Sequence, residues 1–187
     1  MRQNPKPRTN KENYPMSVNF TIHGPFPVPT KSKKIKGGAT IKQLAVDTEF
    51  WKDPEVSPFA GAKGCYVFAN AVGGGSKPVY VGQTNRNFKS ECFSHHNKNL
   101  LNDFLSGCGK TGLQIFFVVL DKTRKNCRDE IEACETFLIQ KCKHANADLL
   151  NTRKLAETFS ITDFHGDSKG GGKPTNSVRD FKKCLRL

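Results

Sequence analysis

Glu135 is the most misplaced charge in this sequence. It lies in the segment 127–143, where a turn of about 100° per residue puts Ile131, Leu138 and Cys142 on one narrow stripe, with Cys134 and Ile139 at its edges. Glu135 falls inside that stripe, while Glu132 sits near its margin. A carboxylate on an apolar face costs several kcal/mol unless it is paired or holds a metal. Three readings stand for it: an ion pair with Lys or Arg, a hydrogen-bonded structural role, or a functional site. Two tyrosines, Tyr66 and Tyr80, sit in two β-rich runs upstream. Taken alone they are ordinary strand tyrosines packed in a sheet with wet hydroxyls. His95 and His96 are adjacent, so on a helix they point about 100° apart and only one faces a given site. Imidazoles suit proton transfer near neutral pH.

The elements that must carry these groups can be read from composition and periodicity. The run Gly64–Val72 and the run 78–82 flank a glycine-rich turn at 73–76, which predicts a hairpin. A polar helix follows over 87–105. Residues 113–120 form an apolar run suited to a buried strand, and a helix over 127–143 comes next. Residues 149–151 close the unit, which spans 60–151. Residues 1–15 read as a disordered basic arm and 16–59 as an extension packing on the core. Within that extension, 18–22 alternates like a strand until Pro25, Pro27 and Pro29 break it, and 40–51 reads as a short helix covering the core. Residues 152–187 form a C-terminal extension with a β-like piece at 158–162 and a basic helix over 177–187, in which Phe159 and Phe181 are packing residues. The stretch 107–111 imitates the end of a phosphate-binding loop. Phe104 stands where that motif needs glycine, so it reads as a basic turn.

Thirty Lys and Arg against seventeen Asp and Glu leave a formal charge of +13 and a pI near 9.5. A surplus of this size points to a polyanionic partner, since neutralised phosphates release their counterions. The basic arm and the tail residues Arg179, Lys182, Lys183 and Arg186 read as DNA-holding elements, against the alternative of solvated termini. No run approaches the roughly 20 apolar residues of a membrane span, and the N-terminal residues lack the apolar stretch of a secretory signal. The seven cysteines show no C-x-x-C spacing and read as reduced thiols, with Cys127, Cys134 and Cys142 in the core. Together these features place the protein in the cytoplasm or at the nucleoid.

The order of Gly64-Cys65-Tyr66, Tyr80-Val81-Gly82, a helix bearing His95 and His96, Glu135 within 131–139, and finally Asn151 resembles the GIY-YIG nuclease superfamily over about half the chain. The resemblance implies an α+β fold, a small antiparallel three-stranded sheet flanked by helices. It also implies a divalent cation, Mg²⁺ or Mn²⁺, held by Glu135 and acting on DNA. Tyr66 would help deprotonate the attacking water, Tyr80 would orient groups beside it, and Asn151 would support the site. His95 matches the family's histidine by spacing. Arg86, Lys89, Lys98 and Asn151 are the residues expected to meet nucleic acid.

One departure matters. Where the family usually carries an arginine on the helix after the second motif, this sequence has Glu91. Replacing a phosphate-facing cation by an anion removes a group worth roughly 3–4 kcal/mol of barrier. Either Lys89 or Arg86 reaches the phosphate instead, or Glu91 joins Glu135 as a second oxygen ligand, or the site is dead and the domain only binds. The sequence therefore supports a metal-dependent DNA endonuclease with an altered site. Its rivals are a catalytically silent nucleic-acid-binding module and a protein-interaction domain for an acidic partner.

Overall fold

The computed structural model describes residues 19–46, 49–107, 112–121, 127–153, 165–166 and 176–187. The basic arm at 1–15, the piece at 158–162 and most of the loop-like stretch at 107–111 lie outside the described residues.

The strands are β1 (Phe20–Pro27), β2 (Thr30–Lys34), β3 (Thr40–Leu44), β4 (Gly64–Val72), β5 (Gly75–Thr84), β6 (Gly112–Leu120) and β7 (His165–Gly166). The helices are α1 (Phe88–Glu91), α2 (His95–Gly107), α3 (Arg128–Ala145) and α4 (Asn176–Leu185). The main sheet has the order β5-β4-β6-β1-β7, and β2 pairs with β3 in a separate ribbon. Four strands of the main sheet are antiparallel, and β7 adds a two-residue parallel bridge to β1. The fold is mixed α and β, and the antiparallel part of its main sheet has four strands where three were expected.

That fourth strand comes from the N-terminal extension. β1 pairs with β6 from Phe20 opposite Leu120 to Pro27 opposite Gln114. Pro25 does not break it, contrary to expectation, and the strand ends only at Pro27. A bulge between His23 and Phe26 absorbs Pro25, Pro27 is the terminal residue, and β7 borders only Thr21 and Ile22, so neither proline leaves a partner strand short of a donor. Nor does 40–51 form a helix. Gly37 and Gly38, both at positive φ, turn the chain into the β2–β3 hairpin, and only Phe50–Lys52 makes a single 3₁₀ turn. The helix expected over 87–105 is broken at 92–94 into α1 and α2.

Both faces of the sheet are covered, which explains why β4 and β6 are apolar at nearly every position rather than alternating. Cys65, Val67, Phe116 and Val118 point to one face, against Ile131, Leu138 and Cys142 of α3 and Val178 and Phe181 of α4. Tyr66, Phe68, Ile115 and Phe117 point to the other, against Phe88, Leu101 and Leu105 of α1 and α2 and against Trp51. Phe181 packs its ring 5.3 Å from Phe116, so the C-terminal helix is a core element with its basic residues on the outer side. The six described cysteines are buried thiols, none of them in a disulfide.

β5 is an edge strand, and its outer main-chain groups are satisfied by the chain that follows α3. The amide of Asn146 donates to the Pro78 carbonyl at 2.7 Å, and Leu150 N–H donates to the Val79 carbonyl at 2.9 Å. The Asn151 side chain accepts from Val81 N–H at 2.8 Å and donates to Val81 C=O at 2.9 Å. Side-chain amides thus take the place of a further strand.

Candidate active site

The two glycine-tyrosine motifs lie on neighbouring strands, with Tyr66 opposite Gly82. Gly64 has φ +143°, and a Cβ there would run into the Val118 carbonyl. Both glycines answer close approaches: Gly64 to the β6 backbone, Gly82 to the Tyr66 ring. The β4–β5 register slips at Phe68, where Val79 is the extra residue on β5. This bulge keeps Tyr80 opposite Phe68, on the same face as Tyr66, with the two tyrosine rings 6.5 Å apart.

The tyrosines differ in environment. Tyr66 is 1% exposed, and its hydroxyl accepts a hydrogen bond from Asn97 Nδ2 at 2.8 Å. The same amide nitrogen donates to the Glu91 carbonyl at 2.9 Å, so Asn97 ties Tyr66 to the break between α1 and α2. Burial raises the Tyr66 hydroxyl far above the usual tyrosine range; Cys92, Tyr80 and Glu91 add to the rise, and the Asn97 hydrogen bond opposes it. Tyr80 is only half-buried. Burial, then the charge of Glu135, then that of Glu91, push its hydroxyl up to about 12. Burial and the nearby carboxylates therefore hold both phenols in the neutral form at physiological pH.

A cleft of about 550 Å³ opens at the β5 edge. α2 forms one wall through His96 and Leu100, one helical turn apart, and α3 forms the other through Glu135 and Ile139. Tyr80 lies in the cleft, and Leu150, Asn151, Thr152 and Arg153 complete its lining. The arrangement unites a carboxylate, an imidazole, a phenol and a guanidinium around one hollow, with Leu100, Ile139 and Leu150 as its apolar lining.

Of the residues singled out from sequence, Tyr80, Glu135 and Asn151 line this cleft together. Glu91 sits close enough for its charge to act on both Tyr66 and Tyr80. Tyr66 lies in the core and is not part of the lining. His95 is exposed, with Asn99 Nδ2 3.4 Å from its Nδ1, and His96 takes the cleft position instead. The break at 92–94 restarts the helix at His95 and so resets the phase that the spacing argument assumed. Arg86 and Lys89 are exposed and Lys98 half-buried, all outside the cleft lining. Asn151 has its amide engaged with the Val81 main chain.

Asn97 and Arg153 are lining or supporting residues that the sequence patterns did not single out, whereas His96 is the neighbour passed over when spacing favoured His95. Asn97 carried a legible signal: it precedes Leu101 and Leu105 at four-residue steps, so it is a polar group on a buried stripe, like Glu135. Arg153 carried none, because its place depends on how the chain turns after Asn151.

Among the described residues, no group of three or more His, Cys, Asp or Glu is arranged to hold a metal ion. A Mg²⁺-like cation does not need such a cage, because it keeps several waters and takes one or two carboxylates plus substrate phosphates. Glu135 in the cleft, with the Glu91 carboxylate also acting on Tyr80, suits that kind of binding. Among the described residues no helix is long and apolar enough to cross a membrane. No family model, no curated protein and no solved structure matches the chain.

Proposed function

We propose that the chain is a divalent-metal-dependent DNA endonuclease of GIY-YIG type with an altered active site. The observation that carries this reading is the meeting of Glu135, Tyr80, His96 and Arg153 in one cleft. Glu135 would hold the cation, with Glu91, whose charge also reaches Tyr80, as an auxiliary carboxylate. When bound, the cation supplies Lewis-acid polarisation of the scissile phosphate and neutralises charge on the leaving oxygen.

The chain's own residues do the rest. Arg153 grips the phosphate and supplies the cation that position 91 lacks, since a guanidinium matches phosphate in a bidentate manner. His96 takes the proton of the attacking water. Tyr80, neutral, donates a hydrogen bond to an oxygen of the reacting group. Asn151 holds the β5 edge, and Tyr66 with Asn97 fixes α2 and hence His96. The water oxygen bonds to phosphorus as the bond to the leaving sugar oxygen breaks.

A second reading, a silent DNA-binding module, is favoured by one observation: the hydroxyl of Tyr66 is buried and taken by Asn97 rather than presented in the cleft. A plasmid-nicking assay with Mg²⁺ or Mn²⁺ separates the two. Nicking abolished by EDTA and by Glu135→Gln supports the nuclease; bound but intact plasmid supports the silent module.

A further inference from the structure

Away from the cleft, the β2–β3 ribbon concentrates charge of one sign. Residues 30–44 hold Lys31, Lys33, Lys34, Lys36 and Lys42 and no carboxylate, and none occurs in the sequence between Glu12 and Asp47. All of 31–40 is exposed. Residues paired across the strands share a face. Lys34, opposite Thr40, puts a cation on one face. Lys31 opposite Gln43 and Lys33 opposite Ile41 put cations on the other. The tip turns through Gly37 and Gly38, which present no side chain.

The ribbon is free at its tip but fixed at its base. Ala45 N–H donates to the Pro29 carbonyl at 2.8 Å, Leu44 packs on the core, and Leu44 N–H donates to Asn102 Oδ1 at 2.8 Å. Asn102 belongs to α2, the helix that also brings His96 to the cleft. Six residues of helix separate them, a rise of about 9 Å.

We propose that this ribbon is a duplex-DNA-binding arm that enters the major groove and contacts phosphates on both walls. Two strands about 4.8 Å apart fit a B-form major groove about 12 Å wide, while the major groove of A-form RNA is too narrow for side chains to read. Cations on both faces of the exposed 31–40 stretch match a ligand that surrounds the end of the ribbon; a ligand lying flat would need them on one. Lysines also guard exposed strand edges, but mixed charges would guard equally well, and this ribbon has no anion. The choice of DNA rests on the nuclease reading, whereas the arrangement of cations does not. Through α2, a duplex held by the ribbon sits at a fixed offset from the cleft.

The test is equilibrium binding of the whole chain to a labelled 30-base-pair DNA duplex in EDTA, followed across salt concentration. Replacing Lys33, Lys34 and Lys36 together by Gln is expected to flatten the log–log salt dependence by about 2–3 and to weaken binding on the order of 10²-fold at low salt. The Lys→Arg triple at the same positions retains the wild-type slope. Lys52→Gln, Lys77→Gln and Lys141→Gln together make the same change in net charge and leave the slope nearly unchanged. The proposal is overturned if the ribbon triple binds as wild type, if both Gln triples weaken binding equally, or if duplex RNA binds as tightly with the same ribbon dependence. Because no metal is present, this result stands whether or not the nicking assay succeeds. Failure of the nuclease reading shows as bound, intact plasmid; failure of the ribbon shows as an unchanged slope.

Discussion

The ring of Tyr66 occupies the space that a side chain at position 82 would need. A Cβ at Gly82 would lie 2.7 Å from Tyr66 Cε2 and nearer still to Cζ and the hydroxyl oxygen. The first motif's tyrosine and the second motif's glycine are thus one packing unit across two strands. The hydroxyl reaches past β5 to Asn97, and that reach is possible only over a glycine.

Gly82→Ala is therefore expected to destabilise the fold by about 1–3 kcal/mol, the usual cost of overpacking a dense core. Urea denaturation checks it. A midpoint indistinguishable from wild type would mean that the Tyr66 ring moves aside freely.

Asn151→Ala removes both hydrogen bonds to Val81 and leaves an edge carbonyl and N–H without their partner. A loss of about 1–3 kcal/mol is expected, with hydrogen exchange accelerated first at the Val81 amide. Asn151→Asp should do no better, because its second oxygen would face the Val81 carbonyl. An Asp variant as stable as wild type would show that the amide nitrogen contributes nothing.

The titration of Tyr80 can be isolated as the ultraviolet difference between wild type and Tyr80→Phe. Its midpoint is expected near 12. An unfolded tyrosine ionises near 10, so between those values the unfolded chain loses a proton that the folded chain keeps. The contribution of Tyr80 to stability is accordingly full below pH 10 and is lost as pH rises toward 12. Glu135→Gln should lower the midpoint more than Glu91→Gln, following the order of the two charges. A midpoint near 10 in wild type would contradict the burial and charge environment described for the cleft.

In the nicking assay, His96→Ala should slow cleavage at least 10²-fold, the lower range for general acid–base catalysis, while His95→Ala leaves the rate near wild type. The reverse pattern would return the role to His95 and require the start of α2 to be rotated.

Arg153→Ala should lower the rate about 10²–10³-fold, with Arg153→Lys recovering part of it as a point charge. Unchanged cleavage by Arg153→Ala would leave the missing cation at position 91 uncompensated by this residue.

Much of the fold is legible because burial on two faces writes continuous apolar runs: Gly64–Val72, Gly112–Leu120 and the stripe of α3 stand out in the sequence. What escapes depends on partners distant in the chain. β1 continues past Pro25 because β6 supplies its ladder nearly a hundred residues later, and the N-terminal strand therefore joins the sheet instead of lying over it. The helix break at 92–94 is stabilised by Asn97, whose amide caps the Glu91 carbonyl while holding Tyr66. The site divides the same way. Glu135 and Tyr80 are visible as residues at odds with their patterns or set by motif. His96 emerges only once the break fixes the phase of α2, and Arg153 only once 146–151 binds the β5 edge.

That edge closure has a consequence for assembly order. The hairpin of β4 and β5 is a local contact, but the groups that seal β5 come from residues 146–151, some 70 positions further along the chain. During synthesis the β4–β5 hairpin can form while β5 is still bare, and the cleft gains the lining of Leu150 and Asn151 only when this segment docks. A nascent chain halted before residue 146 therefore presents an open strand to any neighbour, and the finished chain carries the plug that ends that exposure in the same step that completes the cleft.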